Sequence, residues 1–139
     1  MNAGLAGYSQ TPLAKKLGIK PGGIVFTMAA PSEYREWLSP LPAGVSFVDK
    51  PKKAQCDIVH VFVTSLSDLS RSLPPARDAM KPDGAIWISW YKKSAKIPTD
   101  VTEDEIRKRA LATDLVDVKV CAVTEIWSGL KLVVRKHLR

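Results

Sequence analysis

The side chains best placed to do chemistry fall just beyond the carboxyl ends of apolar runs. "VFTMAAPSEY" (Val25–Tyr34) reads as a buried strand passing into a helix, and its loop offers Ala30, Ser32 and Tyr34. Asp49 ends a second, shorter run, Thr64 and Ser65 a third, and Trp90 and Tyr91 a fourth. Open α/β sheets bind ligands outside the carboxyl ends of their strands, where strand order reverses. These residues therefore make up the candidate strand-end pocket. Asp49 stands 20 residues after Ala29, the place for an acid that binds ribose hydroxyls. It equally reads as an exposed strand-end aspartate beside Lys50, Lys52 and Lys53, and the lack of glycine in the first loop favours that second reading. "WYKKSAK" (Trp90–Lys96) joins aromatic rings to lysines, a composition that stacks on bases and pairs with phosphates.

The chemistry on offer is binding rather than bond-making. His60 sits inside an apolar run with no neighbouring acid, which is how a core histidine reads. Cys56 and Cys121 lie in separate segments without a CxxC spacing, and His60 and His137 are the only histidines, too few for a zinc site. The sequence contains neither a GxSxG nucleophile elbow nor a GxxxxGK[ST] phosphate loop. No catalytic and no metal-ligating residue is assigned.

Strands alternating with helices must position the candidates. "TPLAKKLG" predicts a helix with Thr11 as cap, Pro12 at the first position and Gly18 as the left-handed stop. A strand over Ile24–Met28 follows, then a helix over Glu33–Leu38 capped by Ser32 and stopped by Pro40 and Pro42. Val45–Asp49 and Asp57–Ser65 read as strands. Ser65 and Asp68 start a helix that Pro74 and Pro75 should kink or break, since neither can donate a backbone hydrogen bond. "KPDG" then turns the chain into the strand Ala85–Trp90. "VTEDEI" is a capping box, Thr102 with Glu105, flanked by the staple pair Val101 and Ile106. Two strands, Asp117–Thr124 and Leu130–Arg135, joined by "WSG" (Trp127–Gly129), form a closing antiparallel hairpin. The alternation predicts a parallel sheet covered by helices, and the hairpin adds one antiparallel strand to it.

Seven residues, "KPKKAQC", separate Asp49 from Asp57. They reach at most ~25 Å when extended, and a parallel crossover ordinarily needs a dozen residues and a helix. One sheet face is expected to be thinly covered there, leaving room for a partner.

At 139 residues the chain is the size of one domain, and 45% apolar with 25% charged residues suits a soluble globular protein. No apolar run approaches a membrane span, and the first residues lack the basic-then-apolar order of a signal peptide. A cytoplasmic protein is expected. Lysines and arginines number 21 against 14 acids, a net charge of +7, which suits anionic partners but reads first as an ordinary surface charge for a small domain.

"MKPDGAIWISW" followed by a helix and a terminal hairpin resembles the second half of a class I S-adenosylmethionine-dependent methyltransferase. "AGYSQTPLAKKLGIKPG", "PTDVTEDEIRKRAL" and "LVDVKVCAVTEIWSGLKLV" resemble a family of small bacterial proteins of undetermined function. The resemblance implies a single compact three-layer α/β domain over residues 1–139: an abbreviated, methyltransferase-like Rossmann-type sheet, mostly parallel with a C-terminal antiparallel hairpin. It implies no activity. Methyltransferases carry glycines in the first loop, whereas Ala29-Ala30-Pro31-Ser32 puts two Cβ atoms and a proline ring there. The expectation is a degenerate cofactor site that disfavours S-adenosylmethionine, in a binding module for a small ligand or a protein, with an anionic ligand among the candidate partners. An atypical methyltransferase is the alternative. Nucleic-acid binding through "WYKKSAK", "RKR" (Arg107–Arg109) and "RKHLR" (Arg135–Arg139) is the second.

Overall fold

A computed structural model describes residues 11–139; the opening of the first resemblance block lies outside the described residues. Six strands form one sheet in the order β2-β1-β3-β4-β6-β5. They are β1 (Ile24–Met28), β2 (Ser46–Val48), β3 (Cys56–Phe62), β4 (Met80–Tyr91), β5 (Leu115–Ala122) and β6 (Trp127–Val134). β1 pairs in parallel with β2 and β3, and β3 with β4. β6 runs antiparallel between β4 and β5. The sheet is thus mostly parallel with one antiparallel strand brought in by the terminal hairpin, as the pattern of apolar runs required.

Helices α1 (Leu13–Leu17) and α2 (Tyr34–Trp37) cover one face, and α3 (Leu66–Ala79) and α4 (Glu103–Leu111) the other. Alternation along β4 sends Trp87 to the first face and Trp90 to the second. The Trp87 indole N–H donates to the Leu17 carbonyl at 2.9 Å, which fixes α1 on the sheet.

The sheet reverses its strand order between β1 and β3, so a ligand crevice belongs at their carboxyl tips. The crossover from β2 to β3 contains no helix. On the face it leaves, Ile24, Phe26, Met28 and Val48 are only partly buried.

Local details depart from the sequence-based expectations in five places. Pro12, not Thr11, occupies the cap of α1, because the Pro12 carbonyl accepts the first helical bond from Lys16 at 3.1 Å. Gly18 does stop the helix, at φ +81°. Ser32 does not cap α2. Its hydroxyl turns to the Glu33 carboxylate at 3.3 Å, and Glu33 stands at the cap. Pro74 and Pro75 do not break α3. Both lie on the exposed side, where water can reach the carbonyls they leave unpaired. The buried row Leu69, Leu73, Ala76 and Ala79 meanwhile holds the helix to the sheet.

The "KPDG" turn is instead a bulge inside β4, with Met80 opposite Cys56 and Ala85 opposite Ile58. Gly84 allows this close passage, since a Cβ there would lie 2.8 Å from the Asp57 carbonyl oxygen. Finally, the hairpin turns at residues 123–126 rather than at "WSG". The Thr124 hydroxyl accepts from the Ile126 and Trp127 amides at 3.2 Å. Gly129 serves packing: its Cβ would sit 3.2 Å from the Trp87 ring.

Candidate functional site

The tip of β1 keeps the backbone of a glycine turn without the glycine. Ala29 sits at φ +59°, in the left-handed region, a conformation that costs a residue with a Cβ about 1–2 kcal/mol. Beyond it, Ala30, Pro31 and Ser32 face Asp49 across a cavity of about 250 Å³. Ligand pockets ordinarily measure about 300–1,000 Å³. Arg35 lies in the wall with its guanidinium 4.1 Å from the centre of the Phe47 ring, filling space between the β1 and β2 tips. Asp49 is exposed at the rim.

Tyr34 lines this cavity but turns its hydroxyl inward. The phenol bonds His60 Nδ1 at 2.8 Å, and His60 Nε2 bonds the Ser89 hydroxyl at 2.7 Å. The three side chains, from α2, β3 and β4, form a chain of hydrogen bonds through the apolar face. His60 and Ser89 are fully buried. Burial pushes the His60 imidazole down to about 3 and raises the Tyr34 phenol well above its ordinary range. His60 is therefore neutral, with one ring nitrogen donating and the other accepting. The pairing of a serine with a histidine has the form of an activated nucleophile, but burial keeps substrate from it; its role is to satisfy polar groups in the core. His60 is a satisfied core histidine, as its apolar setting suggested.

Thr64 and Ser65 are committed to the fold. Ser65 caps α3 by accepting from the Asp68 amide at 3.1 Å. The Thr64 hydroxyl donates to Asp68 at 3.0 Å, and its carbonyl accepts from the Thr99 hydroxyl at 2.8 Å. Asp100 accepts from the Leu66 amide at 2.9 Å. The segment after β4 thus folds back over the carboxyl tip of β3, onto one side of the reversal point.

Trp90 and Tyr91 stand apart from the other candidates. With Lys92, Lys93 and Lys96 they wall a cavity of about 820 Å³ between the tip of β4 and the start of α4. Tyr91 is braced by Trp127, ring centres 4.4 Å apart. The structure therefore divides the predicted pocket: Ala30, Ser32, Tyr34 and Asp49 at the small cavity, Trp90 and Tyr91 at the large one, Thr64 and Ser65 as structural caps.

The basic clusters do not converge on that cavity. Arg107 is held by Glu103, Asp104 and Asp117, and Arg109 by Glu105. Arg135 and Arg139 bind backbone carbonyls beyond the far end of β6. Lys92–Lys96 lies at the opposite pole, since Tyr91 pairs with Trp127 at the start of β6. No group of three or more metal-ligating side chains occurs among the described residues, and no helix there is long and apolar enough to cross a membrane.

Reasoning from sequence missed the partners of His60, 26 and 29 positions away. It also missed Thr99 and Asp100; the polar pair just ahead of the Thr102 cap was the available signal.

A family model described as "protein of unknown function (DUF3052)" matches residues 14–136. No curated protein matches significantly. Among solved structures, an S-adenosylmethionine-dependent methyltransferase from Aquifex aeolicus superposes with TM-score 0.61 at 14% identity, over 88% of both chains. A chain from the complex between the Haloferax volcanii Trm112 methyltransferase activator and a candidate methyltransferase gives 0.60 at 12%, over 88% of this chain and 86% of that one. The DhpI–SAH complex gives 0.58 at 14%, over 88% and 82%. At such identities the likeness is one of fold.

Proposed function

The chain belongs to the DUF3052 family of proteins of unknown function, and we propose that it is a binding module for a small anionic ligand carrying a flat ring, not a methyltransferase. The observation that carries this reading is the contrast between two cavities on one end of the sheet. The one where methyltransferase-like folds would take their cofactor measures about 250 Å³ and is closed in by Ala30, Pro31 and the Arg35–Phe47 stack. Pro31 offers no amide to a ligand. The residues present do not fit S-adenosylmethionine, and no step is routed through it. The second cavity, about 820 Å³, combines Trp90, on the α3–α4 face, with Lys92, Lys93 and Lys96, while the Glu103 and Asp104 carboxylates on the same wall are held by Arg107. Rings stack on rings and ammonium groups pair with anions, so its lining selects both features at once.

Two adenine compounds of opposite charge test this. ATP and S-adenosylmethionine are titrated separately into the full chain and followed by amide NMR and calorimetry. ATP is expected to saturate, shifting Tyr91–Lys96, and to bind at least tenfold more weakly to the Lys93→Ala/Lys96→Ala double variant. S-adenosylmethionine is expected not to saturate. Micromolar binding of S-adenosylmethionine that weakens in Asp49→Ala would overturn the reading in favour of an atypical methyltransferase.

A further inference from the structure

The glycines missing after β1 lie before it. Gly18, Gly22 and Gly23 belong to "GIKPGG", which ends α1 and leads into the sheet. Lys20-Pro21-Gly22-Gly23 is a tight turn closed by the Gly23 amide on the Lys20 carbonyl at 3.0 Å, with Gly22 at φ +76°. A Cβ at Gly18 or Gly22 would meet nothing within 4 Å, so the backbone there fronts open space. That space is part of a cavity of about 490 Å³ at the amino ends of β1 and β3, the pole opposite the one described above.

Beside the Lys81–Asp57 pair and Asp83, two lysines outside any ion pair among the described residues face this cavity. Lys131, on β6, alternates with Leu130 and Leu132 of the α3–α4 face, so it lies on the α1 face, paired across the sheet with Trp87 and Lys119. It is partly buried. Lys20 stands on the rim. Among the described residues neither Lys131 nor Lys20 is in an ion pair. The two carboxylates on the wall do not supply one. Asp57 is already engaged by Lys81 at 2.9 Å and by the Ile24 amide at 2.8 Å, and Asp83 is exposed.

We propose that this cavity is a second binding site, for a phosphate-class anion held by Lys131 and Lys20 against the glycine turn. A half-buried ammonium facing like charges is a costly arrangement that an anion relieves. Burial, then Lys119 and Lys20, already hold the Lys131 ammonium below its ordinary range, the direction an anion would reverse. Lysine pairs with phosphate as a point charge, and the volume leaves room for the organic part of a phosphate ester.

Inorganic phosphate and ribose 5-phosphate, neither of which carries a ring to stack, are titrated into the full chain and followed by amide NMR. Saturable shifts at Gly18, Gly22, Gly23 and Lys131 are expected, with affinity falling about tenfold or more in Lys131→Met and in Lys20→Met and unchanged in Lys108→Met, an exposed lysine outside both cavities. Tighter binding of the ester would identify it as the ligand source; equal binding would identify free phosphate. Either supports the site. If Lys131→Met does not fold, exposed Lys20 carries the test. Shifts that never saturate, shifts confined to Lys92–Lys96, or undiminished binding by a folded lysine variant would overturn the proposal.

Discussion

His60 makes one residue answer for the pH dependence of the fold. In the native chain its imidazole titrates at about 3, whereas in the unfolded chain it titrates near 6.5. Below pH 6.5 the unfolded state therefore binds a proton that the native state refuses, and stability falls as pH falls. The slope approaches 1.4 kcal/mol per pH unit, so stability by urea denaturation should drop by about 2 kcal/mol between pH 7 and pH 5. His60→Leu should remove that slope. It should also cost about 1–3 kcal/mol at pH 7 for each of the Tyr34 and Ser89 hydroxyls it leaves unpaired. Asp114, held below the ordinary carboxylate range by Arg77, adds its own loss only below about pH 4. The sequence revealed that His60 was buried, because its neighbours are apolar. It could not reveal Tyr34 and Ser89, because the sheet, not the chain, brings them together.

At the scale of elements, capping was legible at Ser65 and Thr102 but not at Thr11 and Ser32. Thr102 accepts from the Glu105 amide at 3.2 Å, and Val101 and Ile106 are both buried as a staple requires. Thr102→Ala should lose about 1 kcal/mol in urea denaturation. Glu105→Gln should lose less, since its carboxylate pairs with Arg109 in a half-exposed position and such pairs are worth about 0–1 kcal/mol. Prolines and glycines were the least legible, because their meaning depends on which side faces water and how near a neighbour lies. Pro74 and Pro75 look like a helix break until their exposure is known, and Gly129 looks like a turn until Trp87 is found against it. The candidate site shared this fate: strand ends were found, but not which of them Arg35, Thr99 and Asp100 would fill or cover.

For the whole molecule, the short link between β2 and β3 leaves the sheet unevenly supported. β3, β4 and β6 lie inside, with core on both faces; β2 is a three-residue edge strand. Hydrogen exchange should therefore show the Ser46–Val48 amides opening at far lower free energy than Val59–Val61 or Ile86–Ile88, whose protection should approach that of global unfolding. Equal protection across the sheet would mean that the half-buried Ile24, Phe26 and Met28 are better supported than their exposure indicates.

The other margin of the sheet is β5, eight residues long with Val118 and Val120 about half exposed. Such a strand invites another chain to anneal along it. Its pairing with β6 is irregular between Asp117 and Lys119, and Lys119 sits between the two valines. The kink denies an incoming strand a straight ladder, and the lysine makes two such edges repel when they meet head-on. One misplaced backbone step and one charge are thus what this apolar margin sets against edge-to-edge polymerisation.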